Sequence, residues 1–195
     1  MRVRDENKEH IIREKAIEMI VKDGFDGLSM QRLAKAANVS PATIYLYFKN
    51  REDLLNQLYM GVDKIFTEAT LKNFDPEMSF EEGLWLQWKN RFAHNVNFPL
   101  HIYFMEQFRT SPLINHKDIV QNSFKEAMSA FFKNAIKRNE LKELPVEIFW
   151  SIAYGPLYSL IKFHHGKKSF VGTHFVLTEQ KMKQAFDIVI KALKK

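Results

Sequence analysis

The 195-residue chain contains no cysteine. It therefore has no disulfide framework, no zinc site built on thiolates and no cysteine nucleophile. Glycine and proline are also scarce, at 7 and 6 residues. A many-stranded sheet usually needs more of these residues for its tight turns. Leu, Lys, Glu, Ala and Met fill long uninterrupted stretches instead. These features favour an all-helical fold.

Long apolar runs are missing as well. No stretch approaches the roughly 18 residues of a membrane span, and the first residues are charged where a signal peptide would be apolar. We therefore expect a cytoplasmic protein with no membrane partner.

Acidic residues are absent between Gly27 and Arg51. The charged residues of that segment are Arg32, Lys35, Lys49 and Arg51, so four cations and no Asp or Glu give a formal charge of +4. A cationic segment of this kind suits an anionic partner, although basic character is not confined to it, because the last 34 residues are also rich in Lys.

Signatures of catalysis are lacking too. There is no His-Glu-x-x-His, no glycine-rich phosphate loop, no Gly-x-Ser-x-Gly elbow and no distinct carboxylate pair. The histidines lack a metal-ligand spacing. We expect no catalytic residue, no metal and no cofactor, and hence no enzyme.

Capping residues divide the N-terminal part into short helices. An amphipathic pattern covers roughly residues 5 to 22, and Ser29 is a typical N-cap for a second helix. That helix stops at Asn38, a residue that tolerates the left-handed conformation of a tight turn. Ser40 and Pro41 then start a third helix, expected to end at Phe48.

Further helices are expected to follow. Asn50 and Asp53 begin a fourth helix, through about residue 72, and Ser79 caps the next one. The remaining helices are expected at about 100–109, 113–139, 145–164 and 178–193, with a loop at 167–176 in which residues 169–171 could be extended.

Two helices of about eight residues joined by a turn of about three match a helix-turn-helix, whose second helix enters the major groove. On that second helix one stripe, Val39, Ile44 and Phe48, is expected to pack inward. The outward stripe carries Thr43, Tyr45 and Tyr47, whose hydroxyl groups suit phosphates and base edges. The alternative is that these are surface residues of a purely structural helix.

The residues of this segment closely resemble the DNA-binding domain of TetR-family regulators. The resemblance rests on Gly24-Phe25, Leu33-Ala34, Ala37-Asn38-Val39-Ser40, Thr43-Ile44-Tyr45, Tyr47-Phe48 and Arg51-Glu52-Asp53-Leu54-Leu55. It implies a DNA-binding domain over residues 5–65, formed by three helices with a helix-turn-helix, and a larger helical domain over 66–195 for ligand binding and dimerisation.

The same resemblance implies a set of DNA contacts, with Lys49 and Arg51 near phosphates. The whole set is Met30, Gln31, Ser40, Pro41, Ala42, Thr43, Tyr45, Leu46, Tyr47, Lys49 and Arg51. Asn38, Ala42 and Arg51 depart from the family's usual Gly, Gly and Lys, so the operator sequence does not follow from the resemblance.

TetR-family regulators usually hold an effector pocket in the C-terminal domain. Aromatic residues there suit a hydrophobic or aromatic molecule; the candidates are Trp85, Trp88, Phe92, Phe104, Phe108, Phe131, Tyr154 and Tyr158. Ordinary core packing is the alternative for each of them.

The family also usually dimerises through its last two helices. Small and large apolar residues recur there at helical spacing: Ile148, Ile152, Tyr154, Gly155, Ser159, Met182, Ala185, Phe186, Val189 and Leu193. A homodimer would place paired recognition helices roughly 34 to 36 Å apart on a palindromic operator. Packing within one chain is the alternative.

The resulting hypothesis is a repressor that a small-molecule effector releases from double-stranded operator DNA. Activation by the ligand fits the same residues. The alternative from another class is a helical small-molecule binding or scaffold protein whose DNA-binding head has lost its function.

Overall fold

The computed structural model describes residues 5–109 and 122–195 and is all-helical over those ranges. The chain divides into two compact units, and the division falls inside one helix, between Ile65 and Phe66. The first unit holds residues 5–65 and 98–109 of the described chain, and the second holds 66–97 and 122–195. None of the described helices is long and apolar enough to cross a membrane.

Five of the described helices contribute to the first unit. They are α1 (Glu6–Asp23), α2 (Met30–Ala36), α3 (Pro41–Tyr45), the larger part of α4 (Arg51–Thr70) and α6 (Pro99–Arg109). The core combines apolar residues of all five helices, and Ile12, Ile20, Leu33, Ile44 and Phe48 are fully buried in it.

Helix α6 departs from the expected domain boundary. Phe104 and Phe108 lie in the core of the first unit, where Phe108 contacts Phe25 and Tyr59 with ring centroids 4.7 and 5.5 Å apart. Because these two rings are buried among residues of α1, the following loop and α4, α6 belongs with the first unit and not with the expected 66–195 domain.

Four of the described helices form the second unit, together with the end of α4. They are α5 (Phe80–Asn97), α7 (Asn122–Lys137), α8 (Val146–Gly166) and α9 (Glu179–Leu193). The expected cap at Ser79 is confirmed, since its hydroxyl accepts from the backbone N–H of Glu82. The Thr178 hydroxyl likewise caps α9 by accepting from the backbone N–H of Lys181. The first part of the helix expected over 113–139 lies outside the described residues.

The loop between α8 and α9 contains a tight turn. Gly172 has φ +82°, and the backbone N–H of Ser169 donates to the carbonyl of Thr173 at 2.7 Å. Only an isolated bridge between Lys168 and His174 is extended, so residues 169–171 do not form a strand.

Candidate nucleic-acid interface and buried arginine site

The turn between α2 and α3 forms as its sequence predicts. Ser29 caps α2 by accepting from the backbone N–H of Arg32 at 3.2 Å. Asn38 adopts φ +53°, and the next backbone N–H, that of Val39, donates to the carbonyl of Ala34 at 2.9 Å. The left-handed residue reverses the chain within three residues, as a helix-turn-helix requires.

The start of α3 is fixed by its own cap. The Ser40 hydroxyl accepts from the backbone N–H of Thr43 at 3.2 Å and lies 2.9 Å from the Thr43 hydroxyl. Ile44 is completely buried, as is Phe48 after the helix, in the core that includes Leu33 and Leu54. The predicted inward stripe is therefore confirmed at Ile44 and Phe48.

Part of the predicted DNA-contact set forms an exposed surface around α3. Tyr45 and Leu46 are each 54% exposed, and Thr43 is half-buried. The other exposed members are Gln31, Ser40, Pro41, Ala42 and Lys49. We call these eight residues the α3 surface. It carries hydroxyl, amide, apolar and cationic groups, which suit base edges, thymine methyl groups and phosphates.

Tyr47 and Met30 do not belong to that surface. Tyr47 is only 6% exposed, and its hydroxyl accepts from the backbone N–H of Asp5 and donates to the Asp5 carbonyl, both at 3.1 Å. Met30 is 8% exposed in the same core. The outward prediction for Tyr47 was wrong because α3 ends at Tyr45, and the turn that follows rotates Tyr47 inward.

Lys49 and Arg51 have different surroundings. The Lys49 side chain is exposed, whereas the Arg51 guanidinium donates to the carbonyls of Leu28 and Phe25 at 3.1 and 2.5 Å. Arg51 thus holds the loop before α2, which differs from the expected phosphate contact. Arg32 is likewise engaged, with Asp23 at 2.9 Å.

The side chains of Asn50 and Asp53 form hydrogen bonds with the backbone at the N-terminus of α4, next to Lys49. The Asn50 side-chain oxygen accepts from the backbone N–H of Asp53 at 2.8 Å, and the Asp53 carboxylate accepts from the Lys49 N–H at 2.7 Å. Burial opposes ionisation of Asp53, but the hydrogen bonds from Lys49 and Gln57 outweigh it and hold the pKa of Asp53 below its ordinary value.

Six of the eight aromatic candidates for an effector pocket fall into three different surroundings. Phe104 and Phe108 are core residues of the first unit. Trp88 and Phe131 are fully buried in the second unit, where the Trp88 indole donates to the carbonyl of Ala153 at 2.8 Å. Half-buried Trp85 packs on Phe186, and half-buried Phe92 on His164, with centroids 4.9 and 5.5 Å apart.

Tyr154 and Tyr158 of α8 lie together beside a residue that the sequence interpretation missed. Arg91 of α5 is completely buried, and its guanidinium carbon lies 4.2 Å from the centroid of the Tyr154 ring. One of its terminal nitrogens donates to the Tyr158 hydroxyl at 2.7 Å. The second unit therefore contains a charged group in its interior, flanked by two of the predicted ligand residues.

The N-terminal part of the chain matches a family model. Residues 12–58 match the model described as "Bacterial regulatory proteins, tetR family". A transcriptional regulator of the helix-turn-helix type from Haemophilus influenzae is 34% identical over 135 residues, which are 69% of this chain and 71% of that protein. The chain belongs to the TetR family of transcriptional regulators.

Two further comparisons cover more of this TetR-family chain. The fatty acid metabolism regulator protein of Bacillus subtilis is 27% identical over 73% of this chain and 75% of its own length. A TetR-family regulator from Marinobacter aquaeolei VT8 superimposes with a TM-score of 0.82 at 24% identity, over 99% of this chain and 98% of that one. This second likeness concerns the fold, and it confirms the all-helical class.

One sequence signal could have revealed Arg91 in this TetR-family protein. Leu84, Trp88, Arg91 and Asn95 recur at spacings of four, three and four, which is one face of a helix, and all four are buried. An arginine within an apolar stripe is rarely buried without a partner. The residues that surround it come from other helices and could not be assigned from that pattern.

Proposed function

We propose that this chain is a transcriptional repressor that binds a palindromic operator as a homodimer and is released by a small-molecule effector. The observation that carries the DNA-binding part is the exposed α3 surface on a helix-turn-helix whose caps and core hold it in place. Thr43, Tyr45 and Lys49 are the side chains that we assign to the DNA.

Direct contact requires that these side chains can change without disturbing the fold. Thr43 and Tyr45 offer hydroxyl groups to base edges or phosphates, and Lys49 offers a charge to the backbone. The Ser40 cap, which also involves the backbone of Thr43, would stay in place in T43V. We expect T43V to lower the ratio of specific to non-specific affinity.

The experiment is a titration of the full chain against DNA that flanks its own gene, at several salt concentrations. Specific binding with a steep negative dependence on salt supports the regulator. Equal, weak affinity for every duplex would instead favour the helical scaffold protein with an inactive DNA-binding head.

For the dimer we propose the exposed faces of α8 and α9. Ile188 of α9 is 71% exposed and Ile148 of α8 is 48% exposed. Ser151 and Ser159 are also exposed on α8, and Gly155 between them has open space where a Cβ would stand. Exposed apolar groups beside small residues favour close helix packing against a second copy.

Several residues first assigned to this interface lie in the core of the second unit instead. They are Tyr154, Met182, Phe186, Val189 and Leu193, all of them buried in a single chain. The reason is that α8 and α9 pack on each other and on α5 with these residues, which leaves Ile148 and Ile188 outward.

I188E tests the dimer by sedimentation velocity. We expect a folded monomer with reduced operator affinity, because a buried glutamate pair would be costly at the two-fold interface. V171E changes an apolar residue of the loop that is 83% exposed, and this variant is expected to remain dimeric. An I188E variant that still forms the dimer would refute this interface.

The second unit is the proposed effector domain. Its interior is strongly aromatic around α5, α7 and α8, which suits a ligand with an apolar or aromatic body. The relative from Bacillus subtilis, whose name assigns it to fatty acid metabolism, supports an apolar metabolite as effector. A coupling free energy of about 1.4 kcal/mol between effector and operator would lower the operator affinity tenfold.

A further inference from the structure

Arg91 sits in the interior of the second unit with part of its hydrogen-bonding capacity unused. Its side chain is completely buried. One terminal nitrogen donates to Tyr158 at 2.7 Å, and the other makes a long contact of 3.4 Å with the side-chain oxygen of Gln87. Its Nε–H has no hydrogen-bond partner among the residues that the structure describes.

Aromatic rings surround the guanidinium on several sides. They come from three other helices, α4, α7 and α8, and their centroids lie 4.2 to 5.6 Å from the guanidinium carbon: Phe66, Phe124, Trp150 and Tyr154. Ring faces attract a cation, but they supply no negative charge and accept no conventional hydrogen bond. We call Arg91 and these four residues the arginine cage.

No counter-charge balances Arg91 within the described part of the chain. None of the ion pairs recorded there involves it. Burial raises the pKa of Tyr154 to about 12, against the opposing effect of Arg91, so the phenol stays neutral. Burial and the charge of Arg91 together lower the pKa of His94 to about 4, so that ring is neutral too.

A buried and unbalanced cation is unfavourable, and proteins generally pair or solvate such a group. The Tyr154 hydroxyl, which is also buried, has no hydrogen-bond partner among the described residues. The Tyr158 hydroxyl accepts from Arg91 and so keeps its own proton to donate. The Arg91 Nε–H and the hydroxyls of Tyr154 and Tyr158 are therefore three donors near the guanidinium that an acceptor with a negative charge could satisfy.

We propose that the arginine cage binds the carboxylate of the effector, whose apolar body packs against the surrounding aromatic rings. This proposal rests on the proposed function, because it specifies the ligand of the effector domain. The Nε–H and the adjacent terminal N–H of a guanidinium form a planar fork that matches the two oxygens of a carboxylate.

The experiment compares acids with their uncharged esters on the full-length protein. Dodecanoate is paired with methyl dodecanoate, and 3-phenylpropanoate with its methyl ester, in calorimetric titrations and thermal shift assays. We expect one or both acids to bind, and their esters to bind about 10 to 100 times more weakly, since a charge-assisted pair is lost. Equal affinity of acid and ester for the wild-type chain would overturn the proposal.

Three variants separate ligand binding from a structural role of Arg91. R91M removes the charge and is expected to lose the preference for the acid, whereas R91K keeps the charge but not the fork and is expected to recover part of it. K133M removes a cation from an exposed position of α7 and is expected to bind as the wild type does. A folded R91M that retains the acid preference would assign Arg91 to the structure alone.

A measurement of operator release tells a failure of the carboxylate site apart from a failure of the proposed function. If the acids bind through Arg91 but leave the protein on its operator, the carboxylate site stands and the effector mechanism fails. If uncharged apolar compounds release the operator and no acid binds, the effector mechanism stands and the carboxylate site fails.

Discussion

The Tyr47 hydroxyl makes two hydrogen bonds with the backbone of Asp5, one through the Asp5 N–H and one to its carbonyl, both at 3.1 Å. Asp5 is also the N-cap of α1, since its carboxylate accepts from the backbone of Asn7 at 3.1 Å. Tyr47, the second residue after the end of α3, therefore connects the recognition helix to the start of α1, which gives Tyr47 a structural role.

This connection predicts that substitutions of Tyr47 and Tyr45 affect different properties, folding stability for Tyr47 and DNA binding for Tyr45. Y47F removes both bonds to Asp5 and is expected to lower the free energy of unfolding by about 1 kcal/mol. Y45F changes an exposed side chain and is expected to stay within about 0.5 kcal/mol of the wild type while weakening specific DNA binding. Urea unfolding and operator titration of both variants check this. A larger loss of stability in Y45F would contradict the assignment.

Substitutions of Lys49 and Arg51 are likewise predicted to affect different properties, DNA affinity for Lys49 and folding stability for Arg51. K49Q is expected to weaken binding to all duplexes alike and to reduce the salt slope by about one, as for a single phosphate contact. R51Q is expected to destabilise the first unit, because the guanidinium supports the carbonyls of Phe25 and Leu28. Unfolding and salt-dependent titrations measure the two effects. The assignment fails if R51Q keeps full stability and only the salt slope changes.

The left-handed turn predicts an order of stability among variants of Asn38. Because φ is +53° there, N38A is expected to cost about 1 kcal/mol, and N38V more, since a branched side chain clashes in that conformation. N38G is expected to be tolerated, because glycine enters this region freely. Thermal unfolding of the three variants gives the order, and an N38V as stable as N38G would exclude strain at this position.

His94 predicts a loss of stability in mild acid. Its folded pKa of about 4 lies below the ordinary 6.5, so the unfolded chain binds the extra proton between these values. Its contribution to stability is therefore complete above pH 6.5 and declines toward pH 4, by up to about 1.4 kcal/mol for each pH unit. H94Q is expected to flatten the slope between pH 6.5 and 5 in urea unfolding. An unchanged slope in H94Q would assign the dependence to other groups.

The sequence by itself determined the features that depend on neighbouring residues. Ser29, Ser40 and Thr178 cap helices because a side-chain oxygen reaches an N–H three residues on, and Asn38 turns the chain because of its own conformational preference. These local rules defined the helix-turn-helix and, with its residues, the family.

The tertiary structure decided which side of each segment is buried. The length of α3 and the path after it turned Tyr47 toward Asp5, which lies 42 positions earlier, and sequence periodicity carries no information about such a contact. Arg91 gained its aromatic surroundings from α4, α7 and α8 for the same reason. Capping is a local interaction, whereas burial depends on packing between residues that are distant in the chain.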